Sequence, residues 1–118
     1  MKYLLLIYQN PGALESMTEA ERDAVMAEVD TLYQELTRSG EWIGGEGLTH
    51  PSTTRTVRVR DGVPAVTDGP FGEVKEQLAG LFLIDVDSLD RAKEIAGPLS
   101  EYGVVEIRPI MEDAGTEM

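Results

Sequence analysis

Apolar residues in this chain come in blocks that alternate between strand-like and helix-like spacing. Tyr3 to Tyr8 is a continuous apolar and aromatic run closed by Gln9, Asn10, Pro11 and Gly12, the pattern of a strand buried on both faces and stopped by a loop. Thr18 and Glu21 then make a capping-box pair, and Val25, Val29, Leu32 and Leu36 fall on one stripe, with Met26 and Tyr33 beside it. A helix is predicted from there to the stop at Ser39 and Gly40. Glu41 to Leu48 is a short strand interrupted by Gly44, Gly45 and Gly47, so a bulge or kink is expected. Thr54 to Arg60 alternates around Val57 and Val59, and Asp61-Gly62 is a two-residue turn signal that returns the chain as Val63 to Thr67. After the turn Asp68 to Gly72, Leu78 to Val86 is a long strand. Leu78, Phe82, Ile84 and Val86 lie on one of its faces with Gly80, and Ala79, Leu81 and Leu83 on the other. Asp87 or Ser88 caps a second helix carrying Leu89, Ala92, Ile95 and Ala96, which Gly97 and Pro98 end or kink. Val104 to Ile110 closes the series, with Val105 and Ile107 opposite Glu106 and Arg108.

This order describes one α+β domain over residues 1–111: an antiparallel sheet with two helices on one face, an extra β-hairpin, and an acidic tail at 112–118 that is expected to fray. Two helices cover only one face of such a sheet. The first strand and the strand Leu78 to Val86 are apolar on both faces, so the uncovered face would expose on the order of several hundred Å² of apolar surface. Pairing that face with its copy across a two-fold axis buries it and leaves a cleft between the sheets, so a homodimer is expected. In the alternative, Gly44 to Pro51 folds over the face of a monomer.

Composition narrows the function. The net charge of −12, from 22 acidic and 10 basic residues, repels phosphate backbones and anionic bilayers, so neither direct nucleic-acid binding nor membrane association is expected. With no cysteine there is no disulfide, thiolate or cysteine-metal chemistry. The N-terminal apolar run is too short for a signal or membrane helix, and a cytoplasmic location follows as an expectation. No metal-ligand spacing, phosphate loop or nucleophile motif is present, and no cofactor is expected.

The segment Thr67 to Gln77, TDGPFGEVKEQ, contains Asp68-Gly69-Pro70-Phe71, and with it the chain resembles the DGPF, or YCII-related, family. MKYLLLIY at the start, GGEGL at Gly44 to Leu48, TVRVRDG at Thr56 to Gly62, LIDVDSLDRA at Leu83 to Ala92 and VEIRPI at Val105 to Ile110 extend the resemblance in order over nearly the whole chain. It implies a ferredoxin-like fold that pairs as a dimeric α/β barrel. The family is largely of unknown function; relatives fused to sigma-factor-like regions imply a link to transcription initiation, and a His and Asp in some relatives imply an enzyme. That histidine sits on the first helix, and Thr18 to Arg38 here contains none, so the pair is not carried over.

Four residues are candidate ligand contacts. Asp68 at a strand end could project into the cleft as an acceptor or base, or serve only the turn, and Phe71 is then an anchor under the turn or a wall of the pocket. Glu106 and Arg108 share the face assigned to the cleft, where Arg108 would grip an anion or pair across the dimer; the alternative is an edge strand in water. His50, with Glu46 nearby, is with Asp68 a candidate general base if its loop covers the cleft, and otherwise a solvated side chain. Tyr3, Trp42, Phe71 and Phe82 supply aromatic wall, and Lys75, Glu76 and Gln77 either line the cleft mouth or face solvent. Three functions fit: a homodimer that binds a small molecule, a cofactor-free enzyme in the same cleft, and an acidic interaction module for the transcription machinery.

Overall fold

The computed structural model describes residues 1–72 and 75–111. The sheet has four strands, β1 (Lys2–Gln9), β2 (Trp42–Gly47), β5 (Gln77–Asp85) and β6 (Gly103–Pro109), in the antiparallel order β2-β5-β1-β6. Three helices connect them: α1 (Pro11–Glu15), α2 (Glu19–Ser39) and α3 (Leu89–Leu99). The fold is α+β with an antiparallel sheet, as the spacing predicts, and has one helix more than expected. Asn10-Pro11-Gly12, read as a loop, opens α1 instead: Asn10 Oδ1 accepts the backbone N–H groups of Gly12 and Ala13 at 2.9 and 3.3 Å, and Pro11 occupies the first helical position, where no N–H is needed.

α2 begins at the expected capping box. Thr18 Oγ1 accepts the Glu21 N–H at 3.1 Å and Glu21 Oε1 accepts the Thr18 N–H at 3.0 Å, and the latter bond holds the Glu21 carboxyl below its ordinary range. Gly40 ends the helix with φ +82°, a conformation that costs glycine nothing. α3 runs through Gly97 and Pro98 rather than stopping there. A proline in the last turn forfeits a single backbone bond, and the added residue, Leu99, reaches the core.

The core lies between the helices and one face of the sheet. Tyr3, Leu5 and Ile7 of β1 and Phe82 and Ile84 of β5, with Val86 just beyond it, meet Leu36 of α2 and Ala92, Ile95, Ala96 and Leu99 of α3. Leu4, Leu6, Leu81 and Leu83 face the other way, paired Leu4 to Leu83 and Leu6 to Leu81, and are only half-buried. Gly44 and Glu46 share that face through their pairing with Leu83 and Leu81, and Glu106 and Arg108 through theirs with Leu6 and Leu4. Gly44 to Gly47, the first part of the segment Gly44 to Pro51 that the monomer alternative lays over the open face, lies instead in the edge strand β2, which has a bulge after Trp42.

The predicted hairpin is β3 (Arg55–Arg60) and β4 (Val63–Asp68), joined at Asp61 and Gly62 with φ +50° and +76°, and it forms a separate two-stranded sheet. Val57, Val59, Val63 and Val66 on it are 61% to 69% exposed. The tail at 112–118 lies outside the described residues.

One ion pair locks α3 to the start of β2. Arg91 donates from Nε and Nη2 to the two oxygens of Glu41, each at 2.8 Å, and Ser39 Oγ donates to the same carboxylate at 2.7 Å. The Arg91 hydrogen bonds hold the Glu41 carboxyl at about 2, below an ordinary value of 4.5. Since the unfolded chain takes up this proton first as pH falls, the stabilisation is complete above about pH 4.5 and is lost on the way down to pH 2. Glu41 is 16% exposed but Arg91 39%, and water screening on the arginine side limits the effect to about 2 kcal/mol. Glu41→Gln is therefore expected to lose that amount at pH 7 and to show a flatter stability profile between pH 4.5 and 2.5 in urea titrations. Profiles that run parallel for the two proteins would exclude this role.

Candidate ligand-binding site

Helix spacing places Val25, Val29, Leu32 and Leu36 on one stripe, but only Leu36 is buried. Val29 and Leu32 pack only partly against the core, and the N-terminal part of α2 overhangs a half-open cavity of about 670 Å³. Its roof is Val25, Met26, Val29 and Leu32, and its floor is the helix-facing side of β2 and β5. Glycines hollow it out: Gly47 pairs with Gly80 and Gly45 with Phe82, so little side chain rises from this part of the sheet. Trp42 lies over Gly45, where an added Cβ would meet its Cη2 at 2.5 Å. The indole stands edge-on to Tyr33 and to Phe82, at centroid distances of 4.9 and 4.8 Å and interplanar angles of 88° and 76°. Tyr102 joins the lining from the far side; partial loss of water, then the carboxylates of Glu101 and Glu28, push its hydroxyl pKa up.

A smaller hollow of about 220 Å³ adjoins the first, sharing Gln9, Leu14, Arg22 and Ala79 with it. His50 stands at its edge. The carboxylate that meets this histidine is Glu15 rather than Glu46, with Nε2 and Oε1 2.8 Å apart. Nδ1 accepts the Ser52 backbone N–H at 3.1 Å and lies 2.9 Å from Ser52 Oγ. An acceptor Nδ1 in the neutral ring puts the proton on Nε2, which donates to Glu15. Both ring nitrogens are thus engaged, and the histidine ties the loop after β2 to the end of α1. Arg22 reaches the Leu14 and Glu15 carbonyl oxygens from Nη2 at 3.5 and 3.4 Å, closing the same end of α1.

The four candidate contacts fall on two different parts of the molecule, and neither cavity is lined by any of them. Asp68 ends β4, 87% exposed, with Arg55 Nε 3.2 Å from its Oδ1. Phe71 is 70% exposed, with the Arg58 guanidinium 4.5 Å above its ring. Glu106 and Arg108 lie exposed on β6, at the opposite edge of the main sheet from β2. The Tyr8 hydroxyl donates to Glu106, which raises the Tyr8 pKa. Of the aromatic candidates, Trp42 and Phe82 line the larger cavity, Tyr3 is in the core, and Gln77 of the segment 75–77 lines the smaller hollow. Among the described residues there is no cluster of three or more His, Asp or Glu side chains that could hold a metal ion. None of the described helices is long and apolar enough to cross a membrane.

The family model of the YCII-related domain matches residues 1–113. The chain belongs to the YCII-related family. DGPF is another name for the same family, so the resemblance carried by Asp68 to Phe71 is to the right group. An uncharacterized protein of Rhizobium meliloti (strain 1021) is 32% identical to this YCII-related chain over 114 residues, covering 93% of this chain and 92% of the other.

Proposed function

We propose that this YCII-related protein is a homodimeric small-molecule binding protein, in which a ferredoxin-like unit pairs through its open sheet face as a dimeric α/β barrel and binds its ligand on the helix side of the same sheet. The observation that carries the binding reading is the cavity under α2, whose volume of about 670 Å³ and apolar, aromatic-walled lining have the character of a small-molecule site. The cleft between sheets expected from the sequence gives way here to a site within each subunit.

Magnitudes support a dimer that involves more than the sheet. Completing the burial of Leu4, Leu6, Leu81 and Leu83 in two copies is worth on the order of 8 kcal/mol, about 1 kcal/mol per half-buried leucine. Association costs a comparable ~4–15 kcal/mol, so the leucines alone give a weak pair. The hairpin supplies what is missing. Val57, Val59, Pro64 and Val66 share one of its faces, and an isolated two-stranded ribbon is marginal in water, so both gain if the arm lies against the second subunit.

A cofactor-free enzyme draws less support, because Asp68 is open to water and both nitrogens of His50 are engaged. The interaction module for the transcription machinery rests on the family resemblance and the acidic charge. Sedimentation velocity together with titration of the fluorescent probe 1-anilinonaphthalene-8-sulfonate tests the proposal. A dimer at micromolar concentration and saturable probe binding at one site per chain are expected; a monomer with no saturable binding would refute it.

A further inference from the structure

We infer that the cavity under α2 takes a planar aromatic ligand, held flat on the glycine floor with its edge toward Trp42. This rests on the small-molecule reading above and names the class of molecule. Three features of the cavity select it. The floor is a strip of bare backbone where Gly47 and Gly80 sit side by side across β2 and β5, and neighbouring strands are only about 5 Å apart, so the strip is flat and narrow. A flat molecule can make close contact with such a surface over its whole face, whereas a saturated ring system, puckered and thicker, touches it at a few hydrogens. At the end of this floor Trp42 and Phe82 stand edge-on to one another, an arrangement that a third ring can extend by the same edge-to-face geometry. The roof of Val25, Met26 and Val29 is unbranched or singly branched aliphatic surface on a single helix, which can close on the second face of a thin ligand.

Space itself argues that this floor is kept open for an occupant. At Gly47 an added Cβ would meet nothing within 4 Å, and the φ is not in the left-handed region, so neither turn geometry nor a close backbone neighbour demands glycine there. A side chain at this position would instead rise into the cavity. Gly44, three residues earlier, is equally unobstructed but belongs to the opposite face through its pairing with Leu83. The two positions make a matched pair for a test.

The experiment compares 2-naphthol with decahydro-2-naphthol, which has the same carbon skeleton and hydroxyl but is neither planar nor aromatic, by isothermal titration calorimetry on the full chain. Fluorescence of Trp42, the single tryptophan, reports occupancy of this cavity independently. The expected result is that naphthol binds about three- to tenfold more tightly than its saturated analogue, the difference that an aromatic contact of ordinary strength provides, and that it perturbs Trp42 emission. Gly47→Leu is expected to abolish naphthol binding, and Gly44→Ala to leave it unchanged. If the saturated alcohol binds as well as naphthol, the planar class is wrong while a small-molecule site stands. If naphthol binds Gly47→Leu as well as the native chain, the glycine floor is not its site. If neither alcohol binds, the small-molecule reading itself falls.

Discussion

Leu81→Asp is expected to abolish the proposed dimer at micromolar concentration while leaving the circular dichroism of the chain unchanged. Leu81 points away from the core, opposite Leu6 on one side and Glu46 on the other, so the isolated subunit accommodates a carboxylate there at little cost. In the pair, by contrast, the same carboxylate would be taken out of water against leucines, twice over, and beside Glu46 and Glu106 on an already acidic face. An unpaired charge buried in this way costs several kcal/mol, so the dissociation constant should rise at least about a hundredfold. Sedimentation equilibrium of the two proteins over the same concentration range measures it. An unchanged association constant would show that the open sheet face is not where subunits meet.

The largest effect on folding is expected from the other side of the same strand. Ile84 is fully buried among residues from both long helices and β1, and Ile84→Ala should lower stability by about 2–5 kcal/mol, combining lost transfer energy with a cavity that the rigid sheet cannot collapse. Urea titration reads this directly as a shift in midpoint with little change in slope. Leu4→Ala, on the open face, is the informative partner. It should cost only about 1 kcal/mol when measured at concentrations where the chain is monomeric, because a partly buried side chain that leaves no closed cavity surrenders less on truncation. Equal losses at the two positions would contradict the assignment of faces.

Much of this architecture is legible in the chain. Alternation assigns the two faces correctly from Gly80 to Val86, although a bulge opposite Ile7 and Tyr8 breaks it at Leu78 and Ala79; the Thr18-Glu21 capping box starts α2 where predicted, and Asp61-Gly62 makes the hairpin turn. The first helix was legible too, since Asn followed by Pro is an N-cap signal that a turn reading hides. What spacing cannot convey is distance. The stripe Val25, Val29, Leu32 and Leu36 says which side of α2 faces the sheet, and nothing in it says that only the last of the four is fully buried while Val29 and Leu32 pack partly against the core. The cavity follows from that gap, and its sequence trace is the set of glycines in β2, which read as a bend in the strand, together with Gly80, which reads as one more position on a strand face. The pairing of His50 with Glu15 joins residues 35 apart with no local pattern to link them, so a nearer acid, Glu46, was the natural expectation. Asp68 and Arg108 are both conspicuous in the sequence, and the chain places them on different sheets.

The hairpin has a further consequence for how concentrated solutions of this protein behave. A valine-rich ribbon with two unpaired edges is the kind of template on which chains add strand to strand and grow into fibrils. Here three of the chain's ten basic side chains, Arg55, Arg58 and Arg60, sit on one edge strand, and Pro64 removes a backbone donor from the other. Like charges meet when two β3 edges approach, and the β4 edge presents a gap in its hydrogen-bond ladder. The arm can stay exposed and apolar in the unpaired subunit because its own edges discourage polymerisation.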